Sequence, residues 1–233
     1  MLELFPEGFE EVELEDGVEL VAYTDARGEE HLWQAFGGVR GEDVAGDWRE
    51  RWRDFHRPVR VGDLWIGPSW HDAPADATAI VIDPGRAFGT GAHPTTKLCI
   101  DLLLTLQPGS LADLGCGSGV LAIVAAKLGF APVLAFDSDE NAIEATRANA
   151  AVNGVEVAAR AADVLRDELP AVTVAVANIT REAVEALAPR LRCEWLISSG
   201  YLPTDPALLP ALRHVRRVTQ GGWAADLHQA AAQ

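Results

Sequence analysis

Apolar residues follow two distinct rhythms along this chain. Residues 10–25 alternate apolar and acidic positions on either side of Asp16-Gly17, the period of a half-buried strand broken by a turn dipeptide, and predict a β-hairpin. Residues 31–39 add a further strand or a short helix. So short a segment cannot bury a core of its own, and a small α+β appendage is expected. Trp48, Trp52 and Phe55 then recur at helical spacing behind Asp47, a suitable N-cap, and predict a packing helix that Pro58 ends. Residues 61–70 read as one strand with a proline-terminated edge.

From residue 79 onward the rhythm changes. Apolar blocks opening at 79 and at 111, 133–136, 155–159, 172–177 and 195–199 alternate with helical stretches at 95–106, after Gly119, and at 139–153, 182–191 and 204–212. A last pair, 215–219 and 223–227, flanks Gly221-Gly222. Alternation of this kind builds a parallel sheet covered on both faces, and the closing pair adds an antiparallel edge. The expected fold class is α/β: a doubly wound, mostly parallel seven-stranded sheet with a small N-terminal α+β appendage. The expected divisions are 1–46 for the appendage, 47–70 for a linker helix and strand, and 71–233 for the main domain.

Composition narrows the class without naming a chemistry. With 233 residues, 48% hydrophobic and 23% charged, the chain suits one α/β domain plus a smaller piece. There is no apolar run near ~18 residues, and the start is acidic from Glu3 rather than basic and apolar, so a cytoplasmic protein without membrane attachment is expected. Cys99, Cys116 and Cys193 are widely spaced and suggest neither a disulfide framework nor a zinc site, and no metal is expected. The net charge is -16, and residues 1–50, with fifteen Asp or Glu against three Arg, hold -12 of it. Such a balance disfavours direct nucleic-acid binding and favours a basic protein partner. A monomer is expected.

The candidate chemistry centres on 111–121, LADLGCGSGVL. An apolar lead-in, Asp113, and glycines at 115, 117 and 119 before a helix-forming stretch describe strand, tight turn and helix start. Bare backbone and free N–H groups at such a turn cradle a ligand. A dinucleotide fingerprint reads G-x-G-x-x-G, whereas here the third glycine arrives one residue early, as Gly115-x-Gly117-x-Gly119. An acid beside the turn would repel a pyrophosphate, while S-adenosylmethionine carries an ammonium and a sulfonium instead. Asp137 closes the next strand, eighteen residues beyond Gly119, where a carboxylate takes both hydroxyls of a ribose; Asp139 reads as a helix N-cap. Asp163 follows the third strand of the series and completes three acids along one sheet edge. The ligand expected is therefore S-adenosylmethionine rather than NAD. The stretch 79–96 breaks from a strand into a loop rich in glycine and proline, either a structural cross-over or one wall of a site. His93 within it reads by itself as a structural histidine, and as a base only if it reaches the target nitrogen.

Together the loop DPGRAFGTGAHPTTKLC, the turn DLGCGSGVLAI, the segment FDSDENAIEATRANAAVNGV, the ANI at 177–179 and the preceding WRDFHRPVRVGDLWIGPSW resemble the PrmA family, the methyltransferases of ribosomal protein L11. The likeness runs from about Trp48 to the C-terminus. It implies a Rossmann-like S-adenosylmethionine-dependent methyltransferase, with the donor over Gly115, Gly117 and Gly119, Asp137 on the ribose and Asp163 near the adenine. The region of Thr90, His93, Pro94 and Thr95 would cover the methionine end, and Asn178 would face the incoming amine. The activity implied is N-methylation of lysine or N-terminal amines on a large-subunit ribosomal protein, with residues 1–46 recognising the substrate. Two departures stand out: family members usually carry a longer N-terminal domain, and Thr180 stands where leucine commonly follows Asn-Ile. They leave room for another protein or a small molecule as acceptor, or for a non-enzymatic binding module.

Overall fold

The computed structural model describes residues 10–14, 17–21, 32–33, 35–36, 39–40, 57–83, 91–210 and 212–230. The chain divides into two compact units, residues 1–54 and 55–233. In the first, β1 (Glu10–Leu14) and β2 (Gly17–Val21) pair antiparallel from Leu14↔Gly17 to Glu10↔Val21, the hairpin expected around Asp16-Gly17. Residues 32–33 and 35–36 are helical. The packing helix expected over 47–55 lies outside the described residues.

The second unit opens with a three-stranded sheet of β3 (Val59–Val61), β4 (Leu64–Gly67) and β5 (Thr78–Val81). The single strand expected over 61–70 is instead interrupted at Gly62, whose φ of 56° reverses the chain and pairs β3 antiparallel with β4. Parallel pairing of β4 with β5 completes this sheet.

The main sheet holds β6 (Leu111–Leu114), β7 (Val133–Asp137), β8 (Ala158–Ala161), β9 (Val172–Asn178), β10 (Cys193–Tyr201), β11 (Leu212–Gln220) and β12 (Trp223–Ala230), in the order β11-β12-β10-β9-β6-β7-β8. β6 to β10 run parallel. The expected doubly wound, mostly parallel seven-stranded sheet is thus what forms. The closing pair forms the expected antiparallel edge: β11 is outermost, and β12 lies between β10 and β11 and opposes both, because the β11–β12 hairpin joins the sheet through its second strand.

Helices α1 (Pro94–Leu103), α2 (Val120–Lys127), α3 (Glu140–Val152) and α4 (Arg181–Leu187) cover the sheet. Strand alternation sends successive side chains to opposite faces. Leu111, Val174, Val176, Ile197 and Leu227 pack with α1, α2 and α3 in one core layer. Leu114, Ala175, Ala177 and Leu196 pack with Val184 and Leu187 of α4 in the other. The helix expected over 204–212 does not form. Pro203, Pro206 and Pro210 remove N–H donors and exclude their predecessors from helical backbone, while side chains take the carbonyls instead. Arg217 Nη1 donates to Pro203 O and Asp205 O, His228 Nε2 contacts Ala207 O and Arg181 Nη2 donates to Leu208 O.

Candidate functional site

Strand order reverses between β6 and β9, and in an open parallel sheet such a switch point leaves a crevice beyond the carboxyl ends of the strands. A cavity of about 370 Å³ lies there, walled by Gly115, Cys116 and Gly117 of the turn, Asp137 and Ser138 after β7, residues 162–165 after β8, and Asn178, Ile179 and Thr180 after β9.

The glycine turn takes its shape from neighbouring backbone. Gly115 N and Cys116 N both donate to Phe136 O, at 2.8 and 3.0 Å, which folds the turn onto the end of β7. Gly115 and Gly119 sit at φ 82° and 81°. A side chain would be strained there, and its Cβ would stand 2.5 Å from Ile179 Cγ2 or 2.7 Å from Thr146 Cγ2. Gly117 N donates to Asp137 Oδ2 at 2.9 Å, and Asp139 N donates to Asp137 Oδ1 at 3.0 Å. Two amides thus aim this carboxylate at the cavity while leaving lone pairs on each oxygen. Asp163 accepts from Leu165 N at 2.9 Å and pairs with Arg166 Nε at 3.4 Å. Asn178 is the last residue of β9, and its side chain makes no hydrogen bond among the described residues. Asp137 and Asp163 are the charged groups among the described lining residues, where neither Lys nor Arg occurs. Such walls suit a ligand carrying positive charge and a diol, and suit a pyrophosphate poorly.

Other expected positions stand back from the cavity. Asp113 is 1% exposed, and its Oδ2 accepts Ala122 N at 3.1 Å, so it grips the start of α2 behind the turn. Burial raises its pKa to about 7, and the charge of Asp137 adds to the rise. His93 caps α1: its Nδ1 lies 2.7 Å from Thr95 Oγ1 and accepts Thr95 N at 3.3 Å, while its ring packs edge-on to Trp223 at 5.0 Å. Desolvation, then Lys97, lowers the His93 pKa and keeps the ring neutral near pH 7. Thr95 is 2% exposed, and the neighbouring Thr96 lines the cavity. Thr90 lies outside the described residues.

The family model for ribosomal protein L11 methyltransferase (PrmA) matches residues 12–226. The chain belongs to this family. A ribosomal protein L11 methyltransferase of Serratia proteamaculans is 47% identical over 158 residues, 63% of this chain and 52% of that protein. One from Shewanella sediminis is 38% identical over 222 residues, covering 80% and 75%. The crystal structure of a ribosomal protein L11 methylase from Lactobacillus delbrueckii subsp. bulgaricus superposes with a TM-score of 0.67 at 30% identity, over 75% of this chain and 99% of that one. A tRNA (uracil-54, C5)-methyltransferase from Pyrococcus abyssi, solved with S-adenosyl-L-homocysteine, shares the fold at a TM-score of 0.51 and 19% identity, over 76% and 44%. The sheet is accordingly the Rossmann-like methyltransferase sheet. The chain spans about half the length of the curated relatives that match it at 52%, 57% and 51% coverage.

Within the family's frame, Thr180 is explained by capping. Its Oγ1 accepts Ala183 N at 3.4 Å at the start of α4, which leucine could not do, and the residue still lines the cavity. Cys116, Ser138, Thr96, Ala162, Val164 and Leu165 are lining positions that sequence reasoning missed. Only their place beside motif residues could have flagged them.

Proposed function

We propose that the chain is an S-adenosylmethionine-dependent protein N-methyltransferase acting on lysine or N-terminal amines of a large-subunit ribosomal protein. The observation that carries this reading is the unpaired carboxamide of Asn178, which borders the same cavity as the glycine turn and the amide-aimed carboxylate of Asp137. When bound, the donor supplies an electrophilic methyl on sulfonium. Gly115, Gly117 and Gly119 cradle it with backbone, Asp137 takes the ribose hydroxyls, and Asp163 sits on the adenine side. Thr90 and Thr95 belong to the segment near the methionine end.

Asn178 orients the acceptor by accepting an amine N–H on its side-chain oxygen. A lysine of pKa ~10.4 loses its proton at neutral pH at about 4 to 5 kcal/mol, and an α-amine near ~8 at about 1. Holding nucleophile and methyl in line contributes on the order of 7 to 11 kcal/mol, so positioning outweighs deprotonation. His93 Nδ1 caps α1, and no side chain is assigned as general base. Asp113 acts from behind the turn, by fixing α2.

Residues 1–46, acidic and hairpin-forming, are assigned to capture of a basic protein partner, 47–70 to linking, and 71–233 to catalysis. We place the protein in the cytoplasm as a monomer; among the described residues no helix is long and apolar enough to cross a membrane. Mass spectrometry of ribosomal protein L11 after incubation with enzyme and donor should show one to three added methyl groups. Donor binding without that label would shift the assignment to another acceptor. Asp137→Ala should weaken donor binding by about 2 to 4 kcal/mol through lost charged hydrogen bonds, and unchanged affinity would remove the ribose role.

A further inference from the structure

The buried face of α3 is polar where it meets the core. Thr146 is 0% exposed, Asn149 8% and Asn153 7%, the last being the residue that caps the helix, and all three share one stripe beside Ile143 and Ala150. None of them lines the cavity. Burying a hydroxyl and two carboxamides is unfavourable unless each is hydrogen-bonded, and each is bonded to backbone of another element. Thr146 Oγ1 donates to Gly117 O at 3.0 Å and lies 3.4 Å from Cys116 Sγ. Asn149 Nδ2 donates to Ser118 O at 2.9 Å. Asn153 accepts Val81 N on Oδ1 at 2.8 Å and donates from Nδ2 to Val81 O at 2.7 Å, the pair of bonds a neighbouring strand would make.

One helix face therefore holds two successive carbonyls of the glycine turn and the last residue of β5. Gly117 is gripped from both sides, its N–H by Asp137 Oδ2 and its carbonyl by Thr146. The N–H and the carbonyl belong to the two planar peptide units that meet at Gly117 Cα, so holding both planes fixes the φ and ψ between them, and with these the direction in which Gly117 N–H meets Asp137.

We propose that Thr146 and Asn149 are positioning residues for the methyl-donor site, with Asn153 anchoring the same helix to β5: α3 sets the shape of the glycine turn, and through Gly117 the aim of Asp137, without touching the ligand. The proposal rests on the donor-site reading above. Thr146→Val keeps the branched shape and deletes only the hydroxyl, whereas Thr146→Ser keeps the hydroxyl. Two readings are taken on each: amide hydrogen exchange over residues 115–119 without ligand, and titration with S-adenosylhomocysteine.

In Thr146→Val, exchange in the turn should rise and S-adenosylhomocysteine affinity should fall, each by about tenfold, with exchange along α3 unchanged and Thr146→Ser close to the parent chain. Should Thr146→Val not fold, Asn149→Ala cuts the adjacent tether and carries the same two readings. A lower melting temperature with turn exchange and affinity both within about twofold of the parent would overturn the proposal, since a packing role alone predicts that result. If even the parent chain bound no S-adenosylhomocysteine while Thr146→Val still loosened the turn selectively, the donor-site reading would fail and the tether would stand.

Discussion

Two aspartates are sealed inside one sheet and end with opposite acidities. Asp113 of β6 is 1% exposed and Asp226 of β12 is 0% exposed. Burial lifts the Asp113 carboxyl to about 7; one hydrogen bond from Ala122 N opposes this, the charge of Asp137 adds to it, and Oδ1 has no partner. Burial pushes Asp226 the same way, yet hydrogen bonds from Arg217, His214 and Tyr201 outweigh it and hold the group below the usual carboxylate range. Arg217 grips both oxygens, Nε at 2.9 Å and Nη2 at 2.7 Å, and His214 Nε2 stands 2.8 Å away. The difference lies in the supply of partners, not in depth. The antiparallel end of the sheet is built to keep a charge, whereas behind the candidate donor site a carboxyl is left without a cation.

The largest effect should come from removing that cation. Arg217→Met leaves Asp226 buried beside only His214 and Tyr201 and frees the carbonyls of Pro203 and Asp205. Orphaning one member of a buried pair typically costs about 3 to 5 kcal/mol, and denaturant unfolding at pH 7 would measure it. Asp226 has a lowered folded pKa, so its contribution is present above the unfolded value of 3.8 and lost as pH falls through the folded one. The gap between parent and variant should therefore close in acid. A gap that did not narrow at all as the pH fell would assign the loss to the carbonyls of Pro203 and Asp205 instead.

Asp113 should show the reverse slope. Its folded pKa near 7 lies above the unfolded 3.8, so its contribution is fully present below 3.8 and is lost as pH rises toward 7. Between pH 5 and 7 the parent chain should lose on the order of 2 to 3 kcal/mol from this group. Asp113→Asn, which keeps an oxygen for Ala122 N, should lack that slope. Equal slopes in both proteins would mean that Asp113 is ionised throughout, and the contrast with Asp226 would collapse.

The same contrast marks what could be read from residue order. The three glycines, Asp137 at the end of β7 and Asn178 at the end of β9 are local signals, and each stands where the pattern puts it. Asp113 was legible as an acid ahead of the turn, but not as one facing α2, because a strand's pattern gives the alternation and not which face meets which helix. Thr146, Asn149 and Asn153 read as ordinary polar helix positions, since their partners are backbone atoms up to 72 residues away in sequence. The partners of Asp226 come from β10 and β11, and no short-range spacing announces them. The misread helix over 204–212 has the same origin: its carbonyls are satisfied by arginines and a histidine remote in the chain.

The smallest effect, and the sharpest check on how the charge of Asp226 is shared, should come from Tyr201. Its hydroxyl donates to Asp226 Oδ2 at 2.9 Å and also approaches Ser198 O at 3.1 Å, so one proton is divided between two acceptors. Burial raises the Tyr201 pKa far above its ordinary value, so that proton stays in place through neutral pH. Tyr201→Phe keeps the ring under Arg181 and removes the hydroxyl, with it the bond to Asp226 and the 2.9 Å contact with Ser198 Oγ. With Arg217 and His214 still holding both oxygens, the cost should be about 1.5 kcal/mol, that of a single hydrogen bond to a charged group. The part of the cost owed to Asp226 should vanish in acid, as for Arg217→Met. A cost as large as that of Arg217→Met would show that the hydroxyl, rather than the guanidinium, sets the acidity of Asp226.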